Sequence, residues 1–185
     1  MSNSSDFSAW IGRRQESQDR ISFTLVRRIA ATLGESAPKP GEPLPPLWHW
    51  AFFQEPVGAS ELGHGRTGSL LFVTVRHEFF QDGKRALQDD QDIVYREASP
   101  PKLNGTETLP EGQWQERIEP TPTLLFRYSA VTFNGHRIHY DWPYVTETEG
   151  YPGLVVHGPL IATLNLRAFT KAHPAARLER FAFRG

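Results

Sequence analysis

Proline decides first where this chain can hold regular structure. The stretch SAPKPGEPLPPLWHW, residues 36–50, places five prolines between positions 38 and 46. Each removes a backbone donor and fixes φ, so neither a helix nor a central strand can run through it. Trp48 and Trp50, at its end, are expected to dock the segment on the body of the protein. A second stretch, ASPPKLNGTETLPEGQ at 98–113, is a linker of Pro, Gly and polar residues and divides the chain near residue 112. At 185 residues the chain suits one large domain or two small ones.

Regular elements are confined to what lies between these breaks. SQDRISFTLVRRIAATLGE, 17–35, reads as a helix, with Ile21, Leu25, Ile29 and Leu33 at i, i+4 spacing and Gly34 as a stop. SLLFVTVRHEFFQ, 69–81, is β-branched and aromatic and reads as a strand. QDGK is a hairpin turn, and RALQDDQDIVYRE, 85–97, is the return strand. In the second half PTPTLLFRYSAVTFN, 120–134, is a strand candidate running into a short turn or helix. GPLIATLNLRAFTKAHP, 158–174, is a helix opened by Gly158 and Pro159 and closed by Pro174, with Leu160, Leu164 and Ala168 on one face. RLERFAFRG, 177–185, alternates as a strand.

Charge narrows the function classes. Twenty basic and 21 acidic residues leave a net charge of −1, without the clustered excess of Lys and Arg that phosphate contacts need, so nucleic acid is not an expected partner. There is no cysteine, which excludes disulfides, thiolate catalysis and cysteine zinc sites. The polar start MSNSSDFSAWIGRRQESQDR lacks the apolar core of a signal peptide. No stretch approaches the roughly 20 apolar residues of a membrane helix. These features lead us to expect a soluble, cytoplasmic protein.

Chemistry-bearing residues gather in FNGHRIHYD, 133–141, and GYPGLVVHGPL, 150–160. His136, His139 and Asp141 are a possible metal set, but the spacing is not that of a zinc-binding His-Glu-x-x-His helix. A structural reading, in which one histidine is a buried loop anchor, competes with it. The third reading is general acid–base catalysis. A histidine exchanges protons near neutral pH, and the Asn134 amide can orient a water through its carbonyl or its NH2 group. Gly158 opens a helix, where free N–H groups and the positive end of the dipole suit an anion or a developing oxyanion. It serves equally well as a tight lead into a buried helix. Ser129 with a nearby histidine suggests a serine hydrolase, but the G-x-S-x-G elbow is absent.

YSAVTFNGHRIHYD followed by YPGLVVHGPLIATL resembles the hydratase-2 motif of the MaoC-like hotdog dehydratases. Weaker similarity in PPLWHW, LLFVTVRHE and DIVYRE extends it over most of the chain. More narrowly, the block looks like the branch holding itaconyl-CoA hydratase, mesaconyl-C4-CoA hydratase and the mitochondrial 3-hydroxyacyl-thioester dehydratase. The resemblance implies an α+β double hotdog, each half a long helix wrapped by a curved antiparallel sheet. Residues 1–112 would be a non-catalytic half and 113–185 the catalytic one, with the helix from Gly158 at its centre. The family pattern runs Asp, Asn, His. Here Asn134 stands at the Asp position, His136 at the Asn position and His139 at the His position. Gly158 matches the glycine whose N–H polarises the thioester carbonyl, with Val156 and His157 beside it against the substrate.

An amide cannot take a proton as a carboxylate does. The expectation is therefore His139 as acid–base group, Asn134 as water-orienter and Asp141 as a supporting carboxylate. Arg127 or Arg137 would meet coenzyme A phosphates or an acyl carboxylate. The implied reaction is hydration of a 2-enoyl-CoA, foremost itaconyl-CoA to citramalyl-CoA. Mesaconyl-C4-CoA or a general 3-hydroxyacyl thioester is the nearest alternative, and a non-catalytic acyl-thioester-binding hotdog is the alternative of another class. No cofactor beyond the coenzyme A of the substrate and no metal is expected, and a homo-oligomer is. Relatives carry a further segment between SELGH and GRTGSLLF and continue past FRG. Both halves are thus expected to be incomplete, with a gap near 63–68.

Overall fold

The structure, a computed structural model, describes residues 8, 11–54, 71–95, 111–112 and 115–184. The expected gap near 63–68 and most of the 98–113 linker lie outside them.

Helix α1, Phe23–Leu33, ends at Gly34, which takes φ 68° while the Glu35 N–H reaches back to the Ala30 carbonyl at 2.9 Å. That is a left-handed helix stop, which glycine adopts without a Cβ penalty. The buried row is Val26, Ile29, Ala30 and Leu33, the i, i+3, i+4, i+7 stripe of an amphipathic helix. The expected Ile21–Leu25–Ile29–Leu33 row is only half buried. A strict i+4 row creeps about 40° around a 3.6-residue helix at each step, and Ile21, exposed, precedes the helix altogether.

The proline-rich segment has no regular structure until a 3-10 turn at Trp48–Ala51, and both tryptophans dock as expected. Trp48 is buried in the core, and the Trp50 indole N–H donates to Asp89 at 2.6 Å. Asp89 lies on the hairpin of β1, Leu71–Gln81, and β2, Lys84–Tyr95, which pair antiparallel. Asp82 and Gly83 both have positive φ, 50° and 72°, so the turn is of the primed type whose twist matches the strands. Phe79 packs edge-on against His49 and Phe53. Phe72, Thr74, Arg76, Glu78 and Phe80 face outward, and Arg76 pairs with Asp90 in a two-pronged ion pair.

Helix α2, Pro122–Val131, replaces the strand expected there. Thr123, Phe126, Tyr128 and Val131 favour extension, while Leu124, Leu125, Arg127 and Ala130 favour helix. The decisive signal is Thr121-Pro122: the Thr121 hydroxyl accepts the Leu124 N–H at 3.2 Å, and proline sits in the first turn. Helix α3, Gly158–Ala172, follows the expected boundaries and buries Leu160, Ala162, Thr163 and Leu166. Residues from α1, Trp48–Phe52, α2 and Leu160 of α3 share one core, so both sides of residue 112 contribute to it.

The tail, 177–184, is not the expected strand. A strand needs a neighbour for its backbone groups, and among the described residues β1 and β2 pair only with each other. Its apolar side chains stay largely exposed, although the Phe183 ring lies 3.9 Å from where a Cβ on Gly158 would stand. The described residues thus combine helices with one two-stranded antiparallel sheet. A sheet curved around α3, and with it the double-hotdog arrangement, is not found among them.

Candidate active site

The first motif begins where α2 stops. Phe133 takes the left-handed φ of 53°, the Asn134 N–H donates to the Ser129 carbonyl at 2.8 Å, and the Phe133 N–H approaches Ala130 O at 3.4 Å. This is the double-bonded helix stop usually built on glycine, here carried by an exposed phenylalanine. It delivers Asn134 at a fixed place. The Asn134 side-chain oxygen then accepts the His136 N–H at 2.9 Å, an Asx turn that leaves its NH2 group for a ligand.

Arg137–His139 forms a 3-10 turn rather than a strand, so His139 and Asp141 do not share a face by alternation. The Asp141 carboxylate is committed elsewhere. It pairs with Arg137 at 2.8 and 2.7 Å and accepts the Tyr144 N–H at 3.2 Å. Those partners, Arg137 first, hold its pKa below the usual carboxylate value. Arg137 is bound in turn, its guanidinium 4.1 Å from the centre of the Tyr144 ring.

The second motif is stitched to the first through Val155. Its N–H donates to Ile138 O at 3.0 Å, and its carbonyl accepts from His139 Nδ1 at 2.7 Å. Because a carbonyl can only accept, His139 carries its proton on Nδ1. The lone pair of the neutral ring is therefore on Nε2. Burial lowers the His139 pKa, the Val155 carbonyl opposes this, and the neighbouring His136 adds to it. The ring is thus a free base at neutral pH.

His139 is flanked by two further imidazoles. His157 stacks on it at 3.7 Å between centroids and 20° between planes, and His136 meets it edge-on at 5.5 Å. His157 has no exposed surface, and its Nε2 lies 2.8 Å from Ser129 Oγ. Burial, reinforced by His139 and His136, drives its pKa down to about 3. It is also the residue before Gly158, the first residue of α3.

The structure therefore brings together His136, His139, His157 and the start of α3, with Asn134 joined to them through the His136 N–H. Val156 is half-buried and packs against the core. Arg127 stands apart, exposed on α2 beside a groove of about 280 Å³ between the end of α1 and the start of α2. Among the described residues no group of three His, Cys, Asp or Glu side chains is placed to hold a metal ion. Sequence reasoning missed the Val155 carbonyl, because a backbone acceptor leaves no residue-type signal. It weighed Ser129 beside a histidine only as a hydrolase nucleophile, not as a partner of His157. That role shows once 122–131 is read as a helix, where Ser129 falls four residues beyond Leu125 in the buried row.

Comparison with known proteins agrees with the motif. The profile of the hydroxyacyl-thioester dehydratase type 2 family matches residues 60–185. Mesaconyl-C(4)-CoA hydratase of Chloroflexus aurantiacus is 37% identical over 237 aligned positions, covering 98% of this chain and 84% of that protein. An alignment of 237 positions cannot be filled by 185 residues without gaps, so the relative has internal segments with no counterpart here. Hydroxyacyl-thioester dehydratase type 2 of Schizosaccharomyces pombe, a mitochondrial protein, is 31% identical over 140 positions, covering 72% of this chain and 43% of that one. The chain belongs to the hydroxyacyl-thioester dehydratase type 2 family.

Proposed function

We propose that the chain is a hydro-lyase that adds water to a 2-enoyl-CoA, with His139 as the acid–base group. The observation that carries this is the His139 tautomer. Its Nδ1–H is spent on Val155 O at 2.7 Å, which leaves Nε2 as an oriented base beside the N-terminus of α3. Nε2 takes a proton from water as the water oxygen bonds to Cβ. The π electrons move through Cα to the thioester oxygen, where the Gly158 N–H and the helix dipole receive the charge. The imidazolium then returns a proton to Cα, which restores the carbonyl and the free base. The Asn134 NH2 group orients the water. Oxidation level does not change overall, so the reaction calls for no redox cofactor.

The substrate we infer is a branched C5 dicarboxylic acyl-CoA. The 37%-identical relative is named for mesaconyl-C4-CoA, whose double bond is conjugated with the thioester and fits this chemistry directly. Itaconyl-CoA has its double bond one carbon further away. It would reach the same product, citramalyl-CoA, after a base removes a proton from Cα to give a dienolate, reprotonation at the terminal carbon gives the conjugated enoyl thioester, and water then adds as above. Arg127 is the candidate for a coenzyme A phosphate, which lies far from the reacting carbons, because the Arg137 guanidinium is engaged by Asp141.

The test is turnover of mesaconyl-C4-CoA, itaconyl-CoA and crotonyl-CoA, followed as loss of enoyl-thioester absorbance with the product identified by mass. The reading expects a hydrated product from mesaconyl-C4-CoA faster than from crotonyl-CoA. Binding of all three without turnover would replace it with a non-catalytic acyl-thioester module.

A further inference from the structure

We propose that Ser129 and His157 act together as positioning residues for His139, with Ser129 anchoring the His157 ring and His157 supporting His139 face to face. The inference rests on the acid–base reading of His139 and adds to it two residues which themselves bond to no substrate atom.

The first argument is cost. A fully buried imidazole is expensive unless its polar atoms are satisfied. His157 has Ser129 Oγ on Nε2 and no partner on Nδ1. An apolar side chain would fill the space without that penalty, so packing alone does not account for a histidine here.

The second argument is the tautomer. If Ser129 donated to Nε2, the proton of neutral His157 would sit on Nδ1 as an orphaned buried N–H, a rare arrangement. With Nε2–H donating to Ser129 Oγ, only a lone pair is left bare. Ser129 thus fixes both the ring's rotation and its proton. The burial that keeps His157 neutral also spares His139 a neighbouring cation at the moment it becomes an imidazolium.

The third argument is geometry. His139 is held on one edge by Val155 O, at 2.7 Å, and on one face by His157, at 3.7 Å and 20°. His157 also precedes Gly158, so the side chain under the base and the backbone N–H facing the thioester belong to adjacent residues. Ser129 ties in the remaining candidate as well, since its carbonyl accepts the Asn134 N–H at 2.8 Å. One residue of α2 thereby sets Asn134 through its backbone and His139, by way of His157, through its side chain.

The test compares Ser129→Ala, Ser129→Thr and His139→Ala at a temperature where circular dichroism shows each folded. It measures kcat and KM with mesaconyl-C4-CoA and the His157 ring tautomer by long-range 1H–15N correlation. Ser129→Ala should lose kcat by ten- to a hundredfold, on the order expected for a displaced catalytic group, with KM nearly unchanged. Its His157 signals should move from a pure Nε2–H form to an averaged one, and Ser129→Thr, which keeps the hydroxyl, should restore most of both. Wild-type kcat in Ser129→Ala alongside a dead His139→Ala would overturn the positioning role and leave the acid–base reading intact. Full turnover in His139→Ala would overturn that reading. An unchanged His157 tautomer in Ser129→Ala would overturn the anchoring by Ser129 whatever the activities. Should Ser129→Ala not fold, His157→Phe keeps the aromatic face but loses the anchor. It is expected to show the same kcat loss with KM nearly unchanged, and wild-type kcat there would refute the proposal.

Discussion

His139 holds its proton on Nδ1 because Val155 offers only an acceptor there, and it is neutral because burial disfavours the charged ring. Activity should therefore fall on the acid side with an apparent pKa below the ordinary 6.5 of histidine, read from the pH profile of kcat/KM. His157 carries the larger consequence for stability. Its folded pKa of about 3 lies below the unfolded value near 6.5, so the unfolded chain binds the extra proton first. The stability that neutral His157 contributes is complete above pH ~6.5 and declines as pH falls from there toward about 3. At about 1.4 kcal/mol per unit, the loss amounts to several kcal/mol. The wild-type melting temperature should fall more steeply over that window than that of His157→Phe, and parallel curves would contradict it. Asp141 is expected to behave differently from both. Its carboxylate serves Arg137 and the Tyr144 N–H, so Asp141→Asn should retain most of kcat. A loss as deep as that of His139→Ala would make Asp141 a reacting group.

At the scale of elements, α2 decides how far the site could be anticipated. FNGHRIHYD and GYPGLVVHGPL put His136, His139, Asp141, Asn134 and Gly158 forward as candidates by residue type and spacing, and only the resemblance to the hydratase-2 motif singled out His139, Asn134 and Gly158 among them. The hairpin and α3 were equally legible: Asp82-Gly83 and Gly158-Pro159 are strong local signals, and the structure obeys them. Segment 122–131 mixes strand formers with helix formers, so its composition was ambiguous, and the two-residue cap at Thr121-Pro122 decides it for helix. With the helix went the buried placement of Ser129 against His157, and with the loop pairing went Val155, since backbone bonds have no residue signature. Thr121→Ala should cost about 1 kcal/mol by removing the cap, measured by denaturant unfolding. Phe133→Gly should stabilise by roughly 1 kcal/mol, because glycine takes a left-handed φ without a Cβ penalty. A loss of turnover in that stabilised variant would assign the exposed Phe133 ring to substrate.

In the molecule as a whole, one core joins α1 and the Trp48–Phe52 segment to α2 and α3, and the hairpin is attached to it through the Trp50–Asp89 bond. Asp89→Ala strands a half-buried indole N–H and should cost about 1–3 kcal/mol. The base, its supporting ring and the helix N-terminus all rest on that core, which is why the chemistry can be held to one geometry. The most direct test of the central claim is the steady-state kcat of His139→Ala against wild type on mesaconyl-C4-CoA. The account predicts a fall of about 10²- to 10⁴-fold, the usual contribution of a general acid–base group, in a variant that stays folded and binds the substrate. A folded His139→Ala protein with wild-type kcat would contradict it.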